Sequence, residues 1–131
     1  MARSGPCGWR GILLRGPSGA GKSDLALRLM DSGWRLVADD YTHVWSSDDA
    51  LYACAPQRIA GHIEARGLGI LTAGSLVLAR IVLLVDCLTV PSERLPEPAF
   101  DHVAGVRLPR LAIDIRPASA TVSVGLALDR L

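Results

Sequence analysis

The residues best suited to chemistry are concentrated in one stretch, Gly16–Ser23, which reads Gly-Pro-Ser-Gly-Ala-Gly-Lys-Ser. It fits the phosphate-binding pattern Gly-x4-Gly-Lys-Ser without a mismatch. Glycines let the backbone approach phosphate oxygens, which a Cβ would obstruct. Successive N–H groups and the start of a following helix then face the anion. The stretch predicts a polyphosphate site formed by Gly16, Pro17, Ser18, Gly19, Ala20, Gly21, Lys22 and Ser23.

Two side chains of this stretch carry the expected polar chemistry. Lys22 supplies a mobile charge for the terminal phosphates, and the Ser23 hydroxyl is placed to ligate Mg²⁺. Lys22 is the only lysine, because all the others among the 14 lysine and arginine residues are arginine. This bias indicates that the position needs a compact ammonium group rather than a planar guanidinium.

The flanking residues predict the elements that must hold this site. Gly11–Arg15 is a short apolar run typical of a buried strand. Asp24–Met30 has apolar residues at helical spacing, and Gly33 is a suitable stop. Strand, glycine-rich turn and helix is the context in which the pattern binds phosphate.

Acidic and basic groups further along the chain decide between hydrolysis and phosphoryl transfer. Asp39 and Asp40 follow a predicted strand; one carboxylate can hold the metal or its water shell, and the other can accept a proton from an attacking hydroxyl. Glu64 and Arg66 lie two apart on one strand face, which is also typical of a solvent-facing pair. Arg94 lies in a Pro-rich loop and, from composition alone, is a solvated arginine.

The remaining pattern predicts a mixed α/β domain in which strands outnumber helices. Met1–Arg10 shows no periodicity and is expected to be irregular, and Ser46–Asp49 is expected to form the turn of a hairpin. A Pro-rich loop is expected from Pro91 to Pro98. Further strands are predicted over Trp34–Ala38, Leu51–Ala55, His62–Arg66, Ile81–Val85, Val106–Ile115 (interrupted at Pro109) and Thr121–Leu126.

Length and composition limit the class of protein. The 131 residues are expected to form a single domain over residues 1–131. A net charge of +1 gives no field for nucleic acid or an anionic membrane. The longest charge-free apolar stretch, 67–79, is too short to span a bilayer. The three cysteines form no metal or redox pattern, which favours reduced thiols in a cytoplasmic protein.

Three stretches together resemble one family, the catalytic domain of HPr kinase/phosphorylase. They are Gly16-Pro-Ser-Gly-Ala-Gly-Lys-Ser-Asp24, Leu36-Val-Ala-Asp-Asp40 and Ile63-Glu-Ala-Arg-Gly-Leu-Gly-Ile70. The resemblance implies a P-loop domain with a mixed sheet, related to phosphoenolpyruvate carboxykinase and usually hexameric. It implies a kinase that phosphorylates a serine of the phosphocarrier protein HPr, with ATP or pyrophosphate as donor, and in the family also the reverse reaction.

The resemblance also assigns roles residue by residue. Lys22 would contact phosphate, and Ser23 and Glu64 would ligate Mg²⁺. Asp40 would be the base that deprotonates the serine, with Asp39 supporting it. Ser92-Glu-Arg-Leu95 resembles the Arg-Leu segment of the family, which makes Arg94 the charge stabiliser.

Two other functions remain compatible with a phosphate loop. A small-molecule or nucleotide kinase would have an arginine-rich lid helix, and the sequence contains no such segment. A nucleotide-sensing module without turnover is consistent with Met1–Arg10, which lacks the histidine that the family commonly has upstream of the loop.

Overall fold

The longest strand, β7 (Leu78–Leu88), is the centre of a seven-stranded mixed sheet. In the computed structural model, which describes all residues from Met1 to Leu131, β7 runs parallel to β2 (Gly8–Arg15) along one side. Its other side is shared: β4 (Ala50–Cys54) pairs antiparallel with the first half, and β9 (Val106–Asp114) pairs parallel with the second. The mixed sheet predicted from the sequence is confirmed.

The other elements extend this centre or pack against it. Their bounds are β1 (Ala2–Gly5), β3 (His43–Ser47), β5 (His62–Ala65), β6 (Gly69–Thr72), β8 (Ala99–Val103), α1 (Lys22–Asp31) and α2 (Ala120–Asp129), with a 3-10 turn at Gln57–Ile59. At the sheet edges, β1 pairs with β2, β3 with β4, and β8 with β9, while β5 and β6 form a separate two-stranded sheet.

The main hydrophobic core lies between the sheet and the two helices. Leu25 and Leu29 of α1 and Val124 and Leu128 of α2 are fully buried with Val85 of β7. A second cluster lies towards the start of β7, where Ala79 and Ile81 pack with residues of β4 and β9. Burial of such side chains, at about 1.5–3 kcal/mol each, holds α1 against the sheet and so fixes where the loop before it lies. Neither helix is long and apolar enough to cross a membrane.

The predicted strand at Thr121–Leu126 is wrong, because this segment belongs to helix α2. Its β-branched residues favour a strand locally. The buried positions Ala120, Val124 and Leu128, however, are spaced four apart and form one helical stripe against the core. Arg28 of α1 holds the loop that precedes α2, because it donates a hydrogen bond to the backbone oxygen of Ile115 at 2.6 Å. Tertiary packing therefore overrides the local preference.

Three further expectations also need correction. Trp34–Ala38 is not a strand: it makes only isolated bridges, Arg35 with Ala2 and Leu36 with Ser75, because its backbone crosses between two elements instead of joining the sheet. The first ten residues are not irregular, since β1 and the start of β2 form an antiparallel hairpin. Pro109 does not interrupt β9, where it pairs with a residue of the edge strand β8. The turn predicted at Ser46–Asp49 is confirmed as the β3–β4 hairpin.

Candidate active site

The phosphate loop joins the end of β2 to the start of α1, as the sequence predicted. Gly21 is the N-cap of α1 and has φ 101°, a conformation that side-chain-bearing residues rarely adopt. No side chain caps this helix, so its first N–H groups are left for another acceptor. These free donors and the positive end of the helix dipole make the loop suited to an anion.

The floor of the loop is formed by the end of β7. Gly16 lies directly on Cys87: a Cβ added to Gly16 would come within 3.1 Å of the Cys87 backbone oxygen and 3.3 Å of its Cβ. Close packing on Cys87, and not its φ, therefore favours glycine at this position. Burial raises the pKa of the Cys87 thiol to about 11, with a smaller opposing effect from the charge of Lys22.

Lys22 lies folded over the loop. Its Nζ donates to the backbone oxygens of Gly16 at 2.8 Å and Pro17 at 2.9 Å. Both acceptors belong to the loop itself, so the ammonium group is held above the cradle by weak neutral partners. A phosphate, which carries full negative charge, is a stronger acceptor for an ammonium than a carbonyl oxygen.

Asp39 links the loop helix to the separate β5–β6 sheet. Its Oδ1 accepts from the Ser23 hydroxyl at 2.9 Å, and its Oδ2 accepts from the Glu64 backbone N–H at 3.2 Å. One carboxylate thus fixes both the hydroxyl of Ser23 and the position of the strand that carries Glu64. Asp40, the next residue, is exposed and keeps its carboxylate free.

A cleft of about 500 Å³ opens over the loop and brings most of the candidate residues together. Only one of its ten lining residues, Leu27, is hydrophobic. A smaller cavity of about 50 Å³ adjoins it and shares Lys22, Ser23 and Asp40 with it. The cleft is lined by Ser18, Gly19, Gly21, Lys22, Ser23, Asp24, Leu27, Asp40, Glu64 and Arg66.

The residues that line the cleft differ in part from those that the sequence predicted. Arg94 is exposed in the loop between β7 and β8 and does not line the cleft. Because β2 and β7 are parallel, that loop leaves the same edge of the sheet as the phosphate loop. Asp24 and Arg66 also line the cleft; the sequence singled out Arg66 only as the neighbour of Glu64 on one strand face, and it gave Asp24 no role. Asp24 pairs with Arg28 one turn on, a spacing that could have marked it as part of the helix wall.

The donor set of the cleft fits Mg²⁺. The structure has no cluster of three or more His, Cys, Asp or Glu side chains that could hold a metal alone. Mg²⁺ does not need such a cage, since it is usually bound by one or two carboxylates, a substrate phosphate and several waters. The Ser23 hydroxyl and the carboxylates of Glu64 and Asp40 line one polar space above the phosphate loop.

Comparisons with known proteins agree with this geometry. The chain is 38% identical over 120 residues to the HPr kinase/phosphorylase of Geobacillus thermodenitrificans. The aligned region covers 82% of this chain and 39% of that protein. It is 32% identical over 118 residues to the HPr kinase/phosphorylase of Lacticaseibacillus casei strain BL23, covering 87% and 37%. The chain thus spans about two fifths of the length of these relatives.

A solved structure shares the fold. It is described as the Hpr(Ser) kinase/phosphatase from Coxiella burnetii and matches with a TM-score of 0.74 over 92% of this chain and 91% of that chain. Identity is 22%, so the likeness concerns the fold alone. Residues 8–124 match the family described as HPr Serine kinase C-terminal domain. The match covers the phosphate loop, Asp39–Asp40 and the β5–β6 hairpin, and the chain belongs to the HPr serine kinase C-terminal domain family.

Proposed function

We propose that this chain is a Mg²⁺-dependent kinase domain that transfers a phosphoryl group to a serine of an HPr-like phosphocarrier protein. The observation that carries the proposal is the cleft in which Lys22, Ser23, Asp40 and Glu64 meet above the phosphate loop. Relatives with HPr kinase/phosphorylase in their names support the choice of acceptor. The donor is ATP or pyrophosphate, since the loop recognises a polyphosphate and no part of the cleft described above selects a base.

The loop residues hold the donor. Free N–H groups at the start of α1 bind phosphate oxygens, and Gly16 lets the chain pass close above Cys87. Lys22 leaves its two carbonyl acceptors and donates to the terminal phosphates. This exchange adds positive charge at the atoms where negative charge builds up during transfer.

Asp40 acts on the acceptor. It is exposed at the wall of the cleft, so a serine presented by a docked protein can reach it. Its carboxylate accepts the proton of the serine hydroxyl as the oxygen attacks phosphorus. In the reverse direction the same carboxyl group would return the proton. Asp39 is committed to Ser23 and the Glu64 backbone and supports the site without touching the acceptor.

Ser23 and Glu64 would hold Mg²⁺. The ion supplies neutralisation of the phosphate charges and a template for the terminal phosphoryl group. The Ser23 hydroxyl donates its hydrogen to Asp39, which leaves its oxygen lone pairs directed elsewhere and able to face a cation.

Arg94 completes the proposed set as a charge stabiliser. Its loop leaves the sheet at the edge where the phosphate loop lies, and this loop is tied to β9 by the Asp114 N–H, which donates to the Ser92 Oγ at 2.7 Å. The proposal places the domain in the cytoplasm with its acceptor, which agrees with three free cysteines. Assembly into a hexamer remains a prediction from the family resemblance.

Incubation of the protein with Mg²⁺, ATP or pyrophosphate, and the HPr of its own organism tests the proposal. We expect HPr to gain the mass of one phosphate on a serine. Asp40→Asn should lower the transfer rate about 10²–10⁴-fold and leave ATP affinity within about threefold, because a proton acceptor is lost and the cradle is not.

Asp24→Asn is the matched control, since it removes the same charge from the cleft wall without changing the proton acceptor. Equal rate losses in Asp24→Asn and Asp40→Asn would refute the assigned base. Wild-type protein that binds ATP and transfers nothing to HPr would instead indicate a nucleotide-sensing module.

A further inference from the structure

Four charged side chains from four strands form an ion cluster around the carboxyl end of β2, at the residue before the phosphate loop. Arg15 of β2 donates to Asp86 of β7 from Nε at 2.7 Å and from Nη2 at 3.2 Å. It also donates to Asp101 of β8 at 2.9 Å. Arg110 of β9 donates from its Nε to the second oxygen of Asp86. We call Arg15, Asp86, Asp101 and Arg110 the strand-end cluster.

Asp86 is the centre of this cluster. Its side chain is 14% exposed, compared with 43% for Arg15 and 39% for Arg110. It accepts from both guanidinium groups, and these hydrogen bonds, that from Arg15 first, hold the pKa of its carboxyl below the usual range. Charge-assisted bonds of this kind are stronger and more directional than neutral ones. Asp86 therefore joins three strands through one carboxylate.

The cluster is continuous in the chain with the floor of the phosphate loop. Arg15 and Asp86 are direct partners in the parallel β2–β7 pairing. The residue after Arg15 is Gly16, and the residue after Asp86 is Cys87. Gly16 packs so closely on Cys87 that a Cβ would lie 3.1 Å from the Cys87 backbone oxygen. Val85 and Cys87 belong to the core on the helix side, so by alternation Asp86 faces the other side of the sheet. The cluster thus lies behind the loop, out of reach of the bound donor.

We propose that Asp86 is a positioning residue that sets the first turn of the phosphate loop by fixing the end of β2 and the middle of β9 on β7. The inference rests on the proposed function, since it assumes that the loop binds a polyphosphate. Without the carboxylate, Arg110 loses its hydrogen-bond partner and Arg15 keeps only Asp101, so less negative charge separates the two guanidinium groups that face each other across β7. Their mutual repulsion acts at the residue that precedes Gly16, where a small shift moves the N–H groups that contact phosphate.

The test compares Asp86→Asn with Asp101→Asn, which also removes an aspartate from Arg15 but leaves the β2–β7 junction intact. Calorimetric titration with Mg-ATP and with inorganic pyrophosphate gives the dissociation constants, and circular dichroism reports folding. We expect Asp86→Asn to weaken Mg-ATP binding by about tenfold, the range for groups that orient a ligand-holding group. Asp101→Asn should stay within about twofold, and Asp86→Glu, which restores the charge, should recover most of the affinity.

Kinetic constants separate positioning from general destabilisation. In Asp86→Asn, KM for ATP should rise with the dissociation constant, while kcat at saturating ATP stays within about threefold. A variant that melts at lower temperature but binds Mg-ATP as the wild type does would overturn the inference. If Asp86→Asn does not fold, Arg15→Gln carries the test, and unchanged Mg-ATP affinity there overturns it equally.

The binding measurements keep this inference distinct from the proposed function. A wild-type protein that binds Mg-ATP but does not phosphorylate HPr contradicts the kinase proposal, whereas the comparison of Asp86→Asn with Asp101→Asn still decides the role of the cluster.

Discussion

Replacing Asp39 with asparagine should reverse the hydrogen bond that leaves the Ser23 oxygen free for the Mg²⁺ ion of the proposed function. In the structure Ser23 donates its only hydroxyl hydrogen to Asp39 Oδ1, because an ionised carboxylate can only accept. The Oγ of Ser23 then keeps both lone pairs for other partners. Asp39 Oδ2 meanwhile satisfies the Glu64 backbone N–H at 3.2 Å.

The side chain of an asparagine at this position has one amide oxygen, which accepts hydrogen bonds, and one NH2 group, which donates them. A backbone N–H can only donate, so the amide oxygen of the new residue faces Glu64 and keeps that hydrogen bond. Its NH2 group then faces Ser23 and donates to Oγ, which uses one lone pair and turns the hydroxyl hydrogen towards the cleft. Both hydrogen bonds survive, so the free energy of unfolding should change by less than about 1 kcal/mol. Metal affinity should fall by about 10–100-fold.

ATP binding measured over a range of MgCl2 concentrations tests this reasoning. The Mg²⁺ concentration for half-maximal binding should rise about 10–100-fold in Asp39→Asn, while ATP binding in EDTA stays unchanged. Asp24→Asn, which removes the same charge from the cleft wall without touching Ser23, should shift the midpoint by no more than about threefold. Equal shifts in the two variants would show that charge alone matters and would refute the hydrogen-bond argument.

Three further outcomes follow from contacts around the loop. Gly16→Ala should lower stability by about 1–3 kcal/mol in urea titration and weaken ATP binding, because its Cβ would lie 3.1 Å from the Cys87 backbone oxygen. Arg28→Gln should cost about 1–3 kcal/mol and speed amide exchange in α2, since it loses the 2.6 Å bond to the Ile115 oxygen; unchanged exchange would contradict this. Because the folded-state pKa of Asp86 is lowered from 3.8, its stabilising effect is complete above about pH 4 and is lost as pH falls further, so urea midpoints of Asp86→Asn should show a weaker acid dependence than wild type.

Elements whose backbone conformation is set by residues close together in the chain could be predicted from the sequence. The order of strand, loop and helix around Gly16–Ser23 follows from apolar runs separated by glycines, and the structure has β2, the loop and α1 there. The same applies to the hairpin at Ser46–Asp49, where Asp48 and Asp49 adopt positive φ values that suit a tight turn. Sequence motifs identify such elements because the required backbone conformation selects the residue type.

The elements and contacts that the sequence did not predict depend on residues that lie far apart in the chain. The β-branched residues of Thr121–Leu126 favour a strand locally, and only packing of Val124 and Leu128 against α1 and β7 selects a helix. Trp34–Ala38 has strand composition, but its backbone partners lie in β1 and near Ser75. The strand-end cluster likewise joins residues 15, 86, 101 and 110, which no local pattern connects.

The different surroundings of Asp39 and Asp40 show why long-range contacts matter for the candidate site. The residue types alone offer two adjacent carboxylates with no basis for choosing between them, and in the sequence only the family resemblance assigns the base to Asp40. In the folded chain, Asp39 is partly buried with both oxygens occupied, by Ser23 and by the Glu64 N–H. Asp40 is exposed at the wall of the cleft. A proton acceptor for an incoming hydroxyl needs a free oxygen in an open position, and of the two residues only Asp40 has one, which supports the proposal that Asp40 is the base.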